Sequence, residues 1–514
     1  MLKNLNDAHS WKESLAAAKH RQVLNMLLLG FSAGLPILLI FSSLSLWLRE
    51  AGIEKSAVTY FSWAALGYSF KFVWAPLVDC LPIPVLTRRL GLRRSWLLVS
   101  QLGVMLAITL MAYSNPEVES QLMYMAMGAV LLGFSSATQD ITIDAYRIEA
   151  ANADMQGMMT ASYVTGYRLG MIVAGAGALY LASYLGTRMD AYSYDAWKLT
   201  YHSMSLFMLV GIITTLAMQE PINRVKTHAF LAQDYLRLVL SFALSVMAFI
   251  ACFWLSAGVV DGLKAFFEHA NFSNFLLEVA RLLFACGCAF WVAKLAIKLK
   301  LVERKVIEVS YLLPIKSFFE NYGMRTAWLL LALIGLYRIS DIVLGVISTV
   351  FYQDMGFSKT EIADAVKVFG LIMTIVGAFL GGILAMRIGV MKILFIGALL
   401  VVLTNLLFIV LVYSGHNLHV LYFVVAADNL VAGIATSAFI AFLSSLIDVR
   451  FTAMQYAMFS SLMTLIPKLL AGYSGGIVDS LGYTSFFVIA SCIGLPVLIL
   501  VYLANKSLNI RQRT

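Results

Sequence analysis

Charge is the scarcest property of this sequence. Asp, Glu, Lys and Arg make up 13% of its 514 residues, whereas a soluble domain carries roughly 25%. Hydrophobic residues reach 61% and mean hydropathy is +0.84, which excludes a soluble globular chain and implies an integral membrane protein. Cysteine is also sparse. Cys286 and Cys288 have the wrong spacing for a zinc site and fall in a helical stretch, so their expected role is packing, with no metal bound. None of the seven histidines (His9, His20, His202, His228, His269, His416, His419) lies deep in a hydrophobic segment. The serines of Gly30-Phe31-Ser32-Ala33-Gly34 and Gly472-Tyr473-Ser474-Gly475 therefore lack the base a hydrolase needs, and no enzyme is expected. There is no G-x-x-x-x-G-K-[ST] loop either, so neither ATP nor any other cofactor is implied.

What is present is a series of long apolar runs. A membrane-crossing helix needs about 20 such residues, and that reading predicts fourteen spans. The first six lie near 23–48, 57–79, 95–114, 121–145, 157–185 and 198–218, followed by two near 237–260 and 275–299. The last six lie near 326–351, 361–385, 388–413, 419–446, 453–478 and 482–504. The run from Val23 is too long for the core of a cleavable signal. The expected organisation is an N-terminal segment (1–22), a six-helix bundle (23–218), a linker with two extra helices (219–325), a second six-helix bundle (326–504) and a tail (505–514).

The net charge of +9 follows this topology rather than any nucleic-acid surface. With both termini in the cytoplasm, 24 of the 37 Lys and Arg residues fall on that side and six on the other, as the positive-inside rule requires. The joints after the second helix of each half also match. Pro76-Leu77-Val78-Asp79 precedes Arg88, Arg89, Arg93 and Arg94, and Gly381-Gly382-Ile383-Leu384 precedes Arg387, Gly389 and Lys392. Repeated halves with basic turns resemble the major facilitator superfamily, whose halves surround a central cavity. Asp79, Arg93 and Arg94 are the gate residues such a turn implies, although an insertion carrying Pro82 and Pro84 separates them.

The remaining seven cations sit inside hydrophobic segments: Lys71, Arg168, Arg281, Lys294, Arg338, Lys367 and Lys468. Each costs at least ~2.5 kcal/mol in hydrocarbon, so they are expected to face protein or a wet cavity. Asp140, Asp341 and Asp428 share these surroundings, leaving an excess of positive charge suited to an anionic solute. Arg168 and Arg338 lie near mid-depth, one in each half, and their forked donors match carboxylates. The alternative is simple neutralisation, as of Arg338 by Asp341 one turn later. Gln139, Asn429, Lys71, Lys367, Asp428 and Lys468 complete the candidate binding set, and Asp428 and Lys468 could instead neutralise each other. Asp140, Asp144 and Asp341 are candidates for carrying a proton, with Asp144 and Arg147 also readable as an interfacial ion pair. Arg281 and Glu278 read as a pair on one helix face. Gly166/Gly170, Gly175/Gly177 and Gly472/Gly475/Gly476 predict close helix packing, while Gly30, Gly34 and Pro36 are expected to loosen the first span.

Five segments carry a closer resemblance. They are Gly30-Phe31-Ser32-Ala33-Gly34-Leu35-Pro36, Phe70-Lys71-Phe72-Val73-Trp74-Ala75-Pro76-Leu77-Val78-Asp79, Ser136-Ala137-Thr138-Gln139-Asp140-Ile141-Thr142-Ile143-Asp144-Ala145, Gly166-Tyr167-Arg168-Leu169-Gly170-Met171 and Tyr337-Arg338-Ile339-Ser340-Asp341. In these the chain resembles the AmpG-type muropeptide permeases. Arg338 departs from an expected lysine and Asp428 from an expected glutamate, each keeping its charge sign. The resemblance implies an all-α major facilitator-like protein of the bacterial inner membrane, monomeric, with both termini cytoplasmic. It implies proton-coupled import of N-acetylglucosamine–anhydro-N-acetylmuramic acid and its peptides, with roles in peptidoglycan recycling and β-lactamase induction. A carrier of ferric siderophores or of acetyl-coenzyme A, or a receptor of the same fold that does not transport, are the alternatives.

Overall fold

The computed structural model describes residues 20–40, 42–53, 68, 70–150, 155–187, 191–221, 232–266, 271–357, 359–471 and 474–513. Only helices let a single segment satisfy its own backbone in hydrocarbon, and the described chain is helical throughout its apolar runs. The first half contains α1 (Arg21–Ile40), α2 (Leu92–Ala112), α3 (Glu119–Ala150), α4 (Gln156–Ile172), α5 (Tyr194–Phe207) and α6 (Leu209–Ala217). Next come α7 (Ala232–Leu255) and α8 (Asn271–Lys298). The second half contains α9 (Met324–Leu336), α10 (Ile339–Asp354), α11 (Gly370–Ile388), α12 (Val390–Ser414), α13 (Leu418–Ser445), α14 (Thr452–Ala471) and α15 (Ser474–Arg513).

Twelve described helices are long and apolar enough to cross a bilayer. Two of the fourteen predicted spans run over residues outside the description, 54–67 in the second span and 472–473 after α14. Twelve is therefore compatible with fourteen. The chain divides into two units, one comprising residues 1–78, 82–225 and 318–514 and the other Asp79–Leu81 with Lys226–Ser317. The helix α15 runs on through the expected tail to Arg513.

The two halves begin their third helices alike. Gly91 (φ +89°) precedes α2 and Gly389 (φ +91°) precedes α12, a conformation that a Cβ disfavours. Glu220 covers the start of α2, its carboxylate accepting the backbone N–H groups of Arg93 (2.8 Å) and Arg94 (3.1 Å). An anion there complements the positive helix end. The insertion before α2 folds as a γ-turn about Val85 (φ +67°), with the Leu86 N–H donated to the Pro84 carbonyl at 2.7 Å.

Small residues bring helices into backbone contact. A Cβ on Gly30 or Gly34 of α1 would lie 2.2 or 2.0 Å from the Tyr163 or Tyr167 carbonyl oxygen of α4. From α4, one on Gly166 or Gly170 would lie 1.9 or 2.2 Å from the carbonyls of Leu27 or Phe31. In the second half, Gly377 of α11 and Gly433 of α13 make the same approach to Leu430 and Thr374. Gly30 and Gly34 thus seat α1 rather than loosen it, and α1 stays helical through Pro36 to Ile40. Gly166→Leu is expected to cost more than the ~1–3 kcal/mol of ordinary overpacking, because backbone has no rotamer with which to yield. Membrane abundance and thermal stability in detergent should both fall, and unchanged stability would contradict this packing.

The second unit is built differently. Only 6% of the apolar window of α7 and 17% of that of α8 are buried, so lipid is the expected surrounding of this pair. Arg281 of α8 donates Nε and Nη2 to the Phe253 carbonyl at 2.9 and 2.7 Å and stacks over the Phe253 ring at 4.0 Å. It thereby serves the end of α7, where the helix breaks at Ser256. The side chain of Glu278, its expected partner, lies outside the described residues.

Candidate functional site

The centre of the first unit is organised by breaks in its helices. Between α9 and α10 the chain turns at Tyr337–Arg338, which sets Arg338 and Asp341 at the start of α10. Arg338 Nη2 donates to Asp341 Oδ2 at 2.6 Å, and both side chains keep 26% exposure. Tyr337 is held by its hydroxyl bond to the Leu394 carbonyl (3.0 Å) and by stacking on Phe439 at 4.4 Å. Tyr337, Arg338, Ser340 and Asp341 line a cavity with Thr436 and Gly494. On the other half, Arg168 is partly buried on α4, within electrostatic range of both Arg338 and Asp341. Just beyond it, residues Val173–Gly177 widen into a π-helical turn, a local feature frequent at functional sites. The fold therefore places two arginines from opposite halves within electrostatic range of one carboxylate.

A second polar cluster lies in the first half. Asp140 and Asp144 are one turn apart on α3, are 8% and 5% exposed, and both sense the charge of Lys71, which is itself buried. Asp140 lies near Tyr163, and its Oδ1 has no hydrogen-bond partner among the described residues. Asp144 meets Arg147 at 3.3 Å and lies near Tyr456 of α14.

The third cluster joins the halves at the end of the bundle where the basic loops converge. Arg93 donates to the Glu149 carboxylate at 2.5 Å, to the Val78 carbonyl at 3.0 Å and to Thr452 Oγ1 at 2.7 Å. Thr452 in turn donates to Glu149. Arg147 Nη1 reaches Ser444 of α13 at 2.6 Å. Gly157 of α4 lies against Gly382 and Ala385 of α11. These contacts shut that end.

Other predicted residues go elsewhere. Gln139 is fully buried and donates to Ser32 Oγ at 2.8 Å, and Asn429 donates to the Val425 carbonyl and accepts from Thr374 at 3.1 Å. Both tie helices together. Asp428 lies near Thr404, whose hydroxyl donates to the Val401 carbonyl at 3.1 Å, and within electrostatic range of Asp341. Arg94 points away from the closed end and donates to the Thr215 and Leu216 carbonyls at 2.9 and 2.6 Å, capping α6. Asp79 is buried. The side chains of Lys367 and Lys468 lie outside the described residues. The Ser32 hydroxyl donates to the Leu29 carbonyl, and His416 pairs with Glu361 at 3.2 Å. No group of three metal-binding side chains occurs among the described residues. Sequence reasoning missed Glu149, Ser444, Thr452, Tyr163 and Tyr456. A carboxylate two residues after Arg147 was the available signal for Glu149.

Comparison with known proteins agrees with this architecture. The Major Facilitator Superfamily model matches residues 329–513, and the family model described as Acetyl-coenzyme A transporter 1 matches residues 22–219. The chain is 29% identical to "Putative transporter AmpG 4" of Rickettsia felis, over 96% of this chain and 98% of that one. It is 28% identical to the "Anhydromuropeptide permease" of Escherichia coli K12, over 94% and 80%. Among solved structures, the E. coli fucose:proton symporter superposes with a TM-score of 0.56 at 11% identity, covering 96% of this chain and 99% of that one. These relatives are carriers rather than enzymes. The chain is a multi-pass membrane transporter with a major facilitator fold, matched by the Major Facilitator Superfamily model over residues 329–513 and similar along nearly its whole length to the AmpG-type permeases.

Proposed function

We propose that this protein imports anhydro-muropeptides across a bacterial inner membrane, driven by protons, with both termini in the cytoplasm. The observation that carries this reading is that Arg168, from the opposite half, lies within electrostatic range of the partly exposed Arg338–Asp341 pair. Muropeptides carry several carboxylates. An arginine from each half can hold one end of such a solute while the halves move about it. Asp341 holds Arg338 ready in the unloaded state and yields it to substrate. The relative named an anhydromuropeptide permease supports the substrate class, and the loop charges support the orientation. On that orientation the closed end faces the cytoplasm. The protein acts as a monomer, and its uptake would feed peptidoglycan recycling and β-lactamase induction.

The match of residues 22–219 to the Acetyl-coenzyme A transporter 1 model favours a second reading, an acyl-coenzyme A anion. One experiment separates the two. Right-side-out vesicles with the outside two pH units more acid should accumulate labelled N-acetylglucosamine–anhydro-N-acetylmuramyl tripeptide. One coupled proton supports a ratio of up to about 100-fold under that gradient. A protonophore should abolish accumulation and excess acetyl-coenzyme A should leave it unchanged. Uptake of acetyl-coenzyme A in place of the muropeptide would transfer the assignment.

A further inference from the structure

The cavity beside Arg338 has two kinds of wall. Arg338, Asp341 and Thr436, all partly exposed, form its polar side. Most of the remaining lining is small and apolar, with Ala398, Val402, Ala435 and Val497 buried. Ser340 and Tyr337 add little polarity, because their hydroxyls are already engaged. Ser340 donates to the Ala490 carbonyl and accepts from Asn405, both at 2.6 Å, and Tyr337 donates to the Leu394 carbonyl. Gly494 lets α15 press close, since a Cβ there would lie 2.7 Å from a Val402 methyl and 3.2 Å from Ser340 Oγ. The free volume is ≈ 20 Å³, room for one group the size of a water molecule or a methyl. A water needs two to four polar partners, and the buried aliphatic side chains supply none.

We propose that this cavity reads the carbon next to the substrate's carboxylate. Arg338 takes the carboxylate, and the apolar walls take a methyl on the adjoining carbon. A carboxylate seated on a guanidinium fork turns its adjoining carbon away from the cation. A substituent on that carbon is therefore what meets the neighbouring wall. Hydrogen leaves the space unfilled, methyl fills it and ethyl exceeds it. An unfilled apolar space forfeits dispersion contacts, and an overfilled one forces side chains off their rotamers. Val402 of α12 and Ala432 of α13 set the size of the space. The proposal rests on the muropeptide reading, which offers the required unit in two places. One is the lactyl acid of the sugar itself, and the other is an alanine that ends an attached peptide.

The test is competition against uptake of labelled N-acetylglucosamine–anhydro-N-acetylmuramic acid by the full-length protein in right-side-out vesicles. One set of competitors is the unlabelled disaccharide with its lactyl methyl kept, replaced by hydrogen or replaced by ethyl. A second set carries a peptide ending in alanine, glycine or 2-aminobutyrate. The parent should prefer methyl to hydrogen by about fourfold, the effect of one buried carbon, and methyl to ethyl by about tenfold. A preference confined to one set supports the proposal and identifies which carboxylate Arg338 holds. Ala432→Val should move the preference to hydrogen, and Val402→Ala should bring the ethyl form within about twofold of methyl. Equal competition throughout both sets in the parent overturns the proposal, as does a ranking that neither variant changes. Should one variant fail to reach the membrane, the parent's ranking and the other variant decide. Normal uptake without discrimination overturns this proposal alone, whereas no uptake of the disaccharide overturns the muropeptide reading and the proposal with it.

Discussion

Arg338→Ala is expected to abolish uptake while leaving the protein in the membrane at normal abundance. Two effects combine in this variant. The substrate loses a forked donor, and Asp341, paired at 2.6 Å, is left without its cation at a site only a quarter exposed. Truncating one member of a desolvated charge pair costs about 2–5 kcal/mol, and each 1.4 kcal/mol is roughly tenfold. The expected loss is therefore about 100-fold or more. Arg168→Ala should be as severe in transport and milder in stability. Its described hydrogen bond is a weak one to the Met171 sulfur at 3.9 Å, so little structure depends on it. Lysine at either position should restore a fraction, since a point charge keeps the attraction and loses the fork. The informative comparison is Arg338→Ala with Asp341→Asn added. If the pair is structural, removing both charges recovers uptake; if Arg338 holds substrate, uptake stays lost while stability returns. Normal uptake by Arg168→Ala would assign that residue to structure.

Much of this arrangement was legible in the sequence, because hydrocarbon makes polar residues conspicuous. Arg168 and Arg338 stood out since a cation at mid-depth requires a reason. The repeat was legible through its basic turns, and Gly91 and Gly389 show why: each half starts its third helix from a backbone that favours glycine. Direction was not legible. Gln139 and Asn429 have the polarity of substrate ligands, yet they bond Ser32 and Thr374 of neighbouring helices. Composition cannot distinguish a cavity from a helix–helix contact. Arg93 and Arg94 are neighbours in the chain but about 100° apart around a helix. One enters the contact between halves and the other caps α6. Thr452 and Ser444 gave no warning, because hydroxyls are ordinary at helix ends and their partners lie some three hundred residues earlier.

Asp140→Asn is expected to separate accumulation from exchange. Asp140 lies one turn deeper on α3 than Asp144, near Tyr163 and within electrostatic range of Lys71. One of its carboxylate oxygens is buried without a hydrogen-bond partner among the described residues. A buried carboxylate oxygen left unpaired is costly, and a proton on that oxygen makes it a donor, which water or a substrate group can then accept. Such a group gains and loses its proton as the surrounding charges move. Asparagine keeps the shape and cannot release a proton, so substrate should still cross downhill and exchange at a rate within a few-fold of the parent. Accumulation driven by a pH gradient should disappear. Asp144→Asn differs in the place it acts, disturbing the closed end through Arg147 while leaving the deeper carboxylate in position. It should leak substrate in both directions. Counterflow and gradient-driven uptake, measured in the same vesicles, distinguish these outcomes. Undiminished accumulation by Asp140→Asn moves the coupling to Asp341, paired with Arg338 and within electrostatic range of Arg168. Loss of accumulation and exchange together makes Asp140 a fixed counter-ion of Lys71, because only a structural partner is needed for both.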